Sequence, residues 1–409
     1  MGETVLVVGA GQAGAQVVAS LRQEGFDGQI ILIGDEPVLP YQRPPLSKGY
    51  LAGKLPLNRV FLRPAEFYQQ ARVEVILGAR VVGLDTNGRH ARLTDGRDIA
   101  FDRLVLATGG RPRPLGCPGA DHQAVLYLRT VADVDKIRVH FRPGVRLALV
   151  GGGYIGLEIA AVAVDLGLTV TVLEAEATVL ARVTCPAVAG FFEDIHRKAG
   201  VEVRCATAVA RIEEGPTSLR IILDNGASID ADVVVVGIGL LPNVELASAA
   251  GLRCQNGIVV DSQCQTSAAG IYAAGDCTQY TSPIYDRPLH LESVNNAIEQ
   301  AKTAAAAICG KDKPLTQVPW FWSDQYDIKL QTAGVSHFHD EVIIRGDPNT
   351  GSFAAFYLQA GKLLAVDAIN RPREFMAAKP LIAQRAVIEP DRLADDVLST
   401  RPFAGLVNT

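Results

Sequence analysis

Two stretches of the chain repeat one pattern of apolar and polar positions. Residues 5–14 (VLVVGAGQAG) and 147–156 (LALVGGGYIG) each carry an apolar run that reads as a buried strand. A Gly-x-Gly-x-x-Gly turn and a helix-compatible apolar stretch follow. A second apolar strand then ends on an acid, Asp35 in the first copy and Glu174 in the second, 21 and 18 residues past the last glycine. The repeat resumes at residues 102–112 (DRLVLATGGRP), which align without gaps on residues 232–242 (DVVVVGIGLLP). From the last motif glycine to that aspartate the first copy is 12 residues longer, and the Pro-rich residues 39–50 have no counterpart in the second. They are expected to equip the first site.

Beyond the repeat, residues 271–276 (IYAAGD) read as a buried strand ending at a turn with a carboxylate. Residues 293–310 predict a helix with capping residues at its start, an Ala-rich body and Gly310 as its stop. From Pro319 onward the pattern changes to alternation, with strands near residues 328, 341, 353 and 363 and a helical tail from Glu374. The expected class is α/β: two Rossmann-like dinucleotide-binding domains, the second inserted in the first, plus a C-terminal α+β domain.

Composition narrows the setting. The 409 residues are 48% hydrophobic and 20% charged, as in ordinary globular proteins, and allow two to three domains. A net charge of −5 speaks against nucleic acid as the main partner. The most apolar stretch, residues 233–241, is far short of the roughly 18 residues a membrane span needs. The first apolar run begins at Val5 and runs into Gly9, so no secretory signal is expected, and Leu6 breaks the myristoylation pattern. Seven cysteines form no CxxC and no metal-like cluster, so a reducing, cytoplasmic setting is expected. His337 and His339 alternate but lack a third ligand, and read as structural or solvent-facing rather than metal-binding.

The glycines permit a tight turn and close approach of backbone amides to a pyrophosphate, and the following helix start adds a favourable potential for that anion. The acid at the next strand end accepts from ribose hydroxyls. Two such sites imply two dinucleotides. Around Glu174 no basic residue occurs before Arg182, so a 2′-phosphate would meet negative charge, and NADH is expected over NADPH.

Further segments join these turns in a fixed order: residues 43–48 (RPPLSK), 107–112 (ATGGRP), 151–158 (GGGYIGLE), 274–276 (AGD), 292–294 (ESV) and 320–325 (WFWSDQ). In this combination the chain resembles the FAD- and NADH-dependent ferredoxin reductases of bacterial oxygenase systems, glutathione-reductase-like flavoproteins, over nearly its whole length. The resemblance implies a non-covalent FAD domain from residues 1–112 and 243–318, an NADH domain at 113–242 and a C-terminal domain at 319–409. On the FAD side it implies Gly9, Gly11, Ala13, Gly14, Asp35, Arg43, Lys48, Val81, Ala107, Thr108, Gly109, Arg129, Asp276, Ser293, Val294 and Trp322. On the NADH side it implies Gly151, Gly153, Tyr154, Ile155, Gly156, Glu158, Glu174, Arg182, Gly237, Ile238 and Gly239. Lys48 and Glu158 would form an ion pair near the flavin N5 edge, and the helix starting near Ser293 would aim its positive end at the N1–O2 edge. Trp322 would cover the isoalloxazine or serve as ordinary core; Trp320 and Trp322 fall on one side of a strand. For Arg129 the alternative is a solvated charge at a helix start.

The implied reaction takes a hydride from NADH to FAD and passes single electrons to a [2Fe–2S] ferredoxin, which feeds a haem-thiolate monooxygenase or a ring-hydroxylating dioxygenase. Docking is expected near Trp322 and Lys302, with Lys302, Lys311, Lys313, Lys329, Arg371 and Arg373 either forming a basic patch or standing as solvated charges. Rubredoxin or monodehydroascorbate reduction on the same scaffold, and a non-enzymatic FAD-binding signalling role, stay open. So does the oligomeric state, a monomer included. Disulfide reduction needs a thiol pair beside the flavin, yet no cysteine precedes Cys117, and residues 44–47 (PPLS) stand where those thiols would be.

Overall fold

The computed structural model describes residues 2–394. Its two parallel sheets follow the sequence repeat. The first runs in the order Ile271–Ala273, Arg103–Leu106, Thr4–Val8, Gln29–Ile33, Val73–Ile76. The second runs Val125–Tyr127, Val233–Val236, Arg146–Val150, Thr169–Leu173, Glu202–Arg204. The copies differ at one edge: that strand comes from late in the chain in the first sheet and from before the glycine turn in the second. Each copy also has a three-stranded antiparallel meander, Val81–Asp85 to Asp98–Ala100 and Val209–Glu214 to Ser228–Ala231.

The gap-free alignment has a physical counterpart in two aspartates. Asp102 Oδ2 accepts from the Thr4 amide at 2.7 Å, and Asp232 Oδ2 from the Arg146 amide at 2.8 Å. Each ties the start of its central strand to the neighbouring strand. Arg146 also donates to Asp232 at 2.7 Å, which holds that carboxyl below the usual aspartate range.

The chain divides into two units. Residues to 43, 57–111 and 241–317 form one. Its core sets Val5, Val7, Ile30 and Leu32 of the sheet against Val17 and Leu21 of helix Gln12–Gln23 and Ala301, Ala304 and Ala305 of helix Val294–Ile308. Alanines let the two helices approach closely, and each fully buried Val, Leu or Ile contributes about 1.5–3 kcal/mol. Helix Val294–Ile308 matches its sequence signature: Ser293 Oγ accepts from the Asn296 amide, and Gly310 follows the C-cap at φ +73°.

The other unit holds residues 44–56, 112–240 and those from 318 on. Here the meander residues Ile212, Leu219 and Ile221 cover Val150, Leu173 and Val234 of the parallel sheet. A five-stranded antiparallel sheet follows, in the order Trp320–Gln325, Ile328–Gly334, Lys362–Ile369, Ser352–Gln359, Glu341–Asp347. Two of its three inner strands, Lys362–Ile369 and Ser352–Gln359, are buried along almost their whole length instead of alternating. The cause is cover from helix Pro372–Ala383 together with an aromatic contact of Phe353 with Phe191, centroids 5.4 Å apart. That helix starts two residues before Glu374, with Pro372 in its first turn. The end of the expected C-terminal domain, residues 395–409, lies outside the described residues.

Residues 44–56 depart from the sequence-based boundary, which kept them with the first sheet. Pro44–Ser47 form a 3-10 turn, and Tyr50 OH donates to Asp135 Oδ1 at 2.9 Å while Arg138 lies over the Tyr50 ring. These bonds join the segment to the second unit.

Candidate functional site

In both units the glycine turn is built by backbone approach. A Cβ on Gly9 would meet the Ala107 carbonyl at 2.1 Å, and one on Gly14 the Gly9 carbonyl at 1.9 Å. In the second copy a Cβ on Gly151 would meet the Gly237 carbonyl at 2.4 Å, and one on Gly156 the Gly151 carbonyl at 2.2 Å. Gly9 and Gly151 also hold φ of +114° and +107°. The middle glycines behave differently. Gly11 and Gly153 are N-caps of helices Gln12–Gln23 and Tyr154–Asp165, receive no side-chain cap, and face open space where a Cβ would stand. That open cradle of helix-start amides fits a diphosphate, and the neighbouring residues Ala13, Tyr154 and the exposed Ile155 belong to the same helix starts.

The acids are held differently in the two copies. Glu174 accepts from the Gly152 amide at 2.7 Å and the Glu176 amide at 2.8 Å, so its carboxylate is fixed against its own glycine turn. Asp35 is exposed and pairs with Arg80 at 2.9 Å. Arg43 pairs with Glu36 at 3.2 Å and stacks over Tyr41. Val81 is buried at its strand start, while Arg182 is exposed. Thr108 and Asn243 exchange two hydrogen bonds just past strand Arg103–Leu106, beside Ala107 and Gly109. Ile238 and Gly239 follow the equivalent strand end in the second copy. Asp276 lies in the turn after strand Ile271–Ala273, and Val294 opens the helix capped by Ser293. Arg129 precedes a capping box in which Thr130 and Asp133 start helix Val131–Arg138; the Arg129 amide donates to Asp133.

Lys48 and Glu158 meet within the second unit. Lys48 Nζ lies 2.7 Å from Glu158 Oε2. Glu158 is only 2% exposed, on helix Tyr154–Asp165 just behind the second glycine turn. Ser47 Oγ donates to Oε2 at 2.5 Å and Ser323 Oγ to Oε1 at 2.6 Å, so donors satisfy both oxygens. Sequence reasoning passed over Ser47 and Ser323. The signal was there for Ser323: strand alternation puts residues 323 and 325 on the face opposite the tryptophans. Trp320 and Trp322 do share a face, centroids 5.5 Å apart, on the edge strand Trp320–Gln325. Phe321 projects oppositely and packs on Tyr154 at 4.6 Å. Burial pushes the Tyr154 phenol up, and the nearby Asp367 adds to it.

All seven cysteines are free thiols. Burial raises Cys264 and Cys277, and Cys205 is pushed up to about 11, which keeps these sulfurs protonated and poorly nucleophilic. Four of the six proposed docking cations are engaged: Lys302 with Glu299, Lys311 and Lys313 with Glu24, Arg371 with Glu374. Lys329 and Arg373 form no ion pair with the described residues. His339 is exposed and bonds the Ser336 carbonyl, and no group of three metal-ligating side chains occurs among the described residues. Among the same residues no helix is long and apolar enough to cross a membrane.

Two nucleotide-type glycine turns on a duplicated parallel sheet define a dinucleotide-dependent oxidoreductase scaffold. The chain belongs to the pyridine nucleotide-disulphide oxidoreductase family, whose pattern matches residues 3–306, and a reductase C-terminal pattern matches residues 320–404. It is 45% identical to putidaredoxin reductase CamA of Pseudomonas putida over 400 residues, 96% of this chain and 95% of that one. The crystal structure of the covalent putidaredoxin reductase–putidaredoxin complex superposes with a TM-score of 0.94 at 43% identity, covering 99% of both chains. The ferredoxin reductase for the CYP199A2 system from Rhodopseudomonas palustris gives 0.95 at 40% identity, covering 99% of this chain and 100% of the other.

Proposed function

We propose that this protein is an NADH-dependent, FAD-carrying reductase that delivers electrons to a [2Fe–2S] ferredoxin of an oxygenase system. The observation that carries the reading is the buried Glu158 carboxylate paired with Lys48 behind the second glycine turn, in a sequence whose cysteines show no CxxC or CxxxxC spacing. Its full-length similarity to reductases of this kind, the C-terminal segment included, supports it. When bound, FAD supplies the conversion of one hydride into two single electrons.

Residues 1–112 and 243–318 would hold FAD, residues 113–242 NADH, and residues 319–409 the C-terminal domain. The Gly11 and Gly153 cradles bind the two diphosphates. Glu174, fixed by the Gly152 amide, presents negative charge where an extra phosphate would sit, which favours NADH over NADPH. Glu158 holds the Lys48 ammonium in one place, so a fixed cation serves the hydride step without reorganisation. The start of helix Val294–Ile308, capped by Ser293, would supply a positive end for a bound flavin. Trp322, on the edge strand Trp320–Gln325, would offer an aromatic surface to the acceptor. Of the docking cations, Lys302 would have to exchange Glu299 for a ferredoxin carboxylate. Free thiols fit a reducing, cytoplasmic setting.

The test is NADH-driven reduction of a panel of acceptors by flavin-loaded protein: [2Fe–2S] ferredoxins, rubredoxin, monodehydroascorbate and a disulfide. Preference for one [2Fe–2S] protein is expected. Preference for the disulfide would overturn the reading.

A further inference from the structure

The Glu158 carboxylate terminates a hydrogen-bond chain that starts at Tyr326. Tyr326 OH lies 3.0 Å from His196 Nδ1, and His196 Nε2 lies 2.8 Å from Gln325 Oε1. Gln325 Nε2 donates to Ser323 Oγ at 3.2 Å, and Ser323 Oγ donates to Glu158 Oε1 at 2.6 Å. With a neutral imidazole, only one direction of protons satisfies every link. Ser323 gives its hydroxyl proton to the carboxylate, so it accepts from the Gln325 amide. Gln325 then presents its carbonyl, which takes the Nε2–H of His196, and Nδ1 is left to accept from Tyr326.

Burial agrees with this direction, and the turn that carries Tyr326 holds the far end of the chain in place. His196, Gln325 and Ser323 are at most 1% exposed, so water does not compete for their bonds. Burial lowers the His196 pKa, which keeps the imidazole neutral with Nδ1 free to accept; it also pushes the Tyr326 phenol up to about 12, so that residue keeps its donor. Tyr326 holds φ +55°, a conformation bulky residues avoid, in the two-residue turn between strands Trp320–Gln325 and Ile328–Gly334. Aligned donors in a low-dielectric interior reinforce one another, and here all of them point at one carboxylate.

We propose that His196, Gln325 and Ser323 are positioning residues for hydride transfer: their directed chain fixes the orientation of Glu158 and, through it, the location of the Lys48 ammonium. The proposal rests on the reading that the Lys48–Glu158 pair serves the NADH step. A network that merely satisfied buried polar groups would change stability and leave the reaction rate alone.

The test uses flavin-loaded protein in stopped-flow flavin reduction by NADH. Ser323→Ala is expected to lower the limiting rate about fivefold or more while NADH half-saturation stays within about twofold; Ser323→Thr, which keeps the hydroxyl, restores the rate to within about twofold. Adding Ser323→Ala to Glu158→Gln should slow the reaction no further than Glu158→Gln alone, because both act through one carboxylate. Gln325→Met, which cuts the chain one link earlier, gives a second route to the same loss should Ser323→Ala fail to fold. A readout independent of turnover is the 15N spectrum of His196, expected in the Nε2–H tautomer with a resonance that moves in Ser323→Ala. A wild-type rate in Ser323→Ala and Gln325→Met beside a slowed Glu158→Gln would overturn the chain alone. An Nδ1–H tautomer would do the same, and an unchanged rate in Glu158→Gln would overturn the underlying reading as well.

Discussion

Single residues decide whether a glycine here serves the fold or the ligand. Gly156 stands where a Cβ would run into the Gly151 carbonyl at 2.2 Å, so Gly156→Ala is expected to cost about 1–3 kcal/mol of stability in chemical denaturation. Gly153→Ala meets nothing, so its stability should change by less than about 1 kcal/mol while NADH binding, followed by titration, weakens at least about tenfold. Spacing alone made both glycines visible in the sequence. The Lys48–Glu158 pair was readable only through the order of motifs, because 110 residues separate its partners. Ser47, Ser323 and His196 were invisible for a different reason: a buried hydroxyl or imidazole carries no periodic signature, and its meaning depends on which acceptor the fold brings to it.

At the scale of elements, caps and strand ties carry testable energy. Ser293→Ala removes the acceptor for the Asn296 amide and is expected to destabilise by about 1 kcal/mol, measured by denaturant unfolding. Asp232 ties the start of strand Arg146–Val150, and the Arg146 bond depresses its pKa. A depressed carboxyl stabilises the fold above its unfolded pKa, about 3.9, and that contribution disappears as pH falls through the folded value. Asp232→Asn should therefore lower stability by about 0.5–1 kcal/mol at pH 7, a modest figure because the pair is partly exposed, with the difference shrinking below about pH 4. Helix Val294–Ile308 could be read from its caps and Ala-rich body because these are local signals. The inner strands Ser352–Gln359 and Lys362–Ile369 broke the expected alternation because cover on both faces is a tertiary fact. The same holds for residues 44–56, whose attachment through Tyr50 and Ser47 is invisible to composition.

For the whole molecule, duplication explains the architecture: one unit of sheet, meander and glycine turn is used twice, and the strand-tying aspartates recur at matching positions. A net charge of −5 with four of six candidate cations already paired leaves little free positive charge for an acidic ferredoxin. Ferredoxin reduction should accordingly slow only a few-fold, about two- to fivefold, between 50 and 200 mM salt. Arg373→Glu should raise the ferredoxin KM while NADH–ferricyanide activity stays unchanged. In the proposed flavin reductase a fixed Lys48–Glu158 charge pair serves the NADH step. Stopped-flow reduction of the flavin by NADH in Lys48→Ala tests it most directly. An unaltered oxidised flavin spectrum and a limiting rate at least about tenfold lower than wild type are expected; a wild-type rate with full flavin content would contradict the role of the pair.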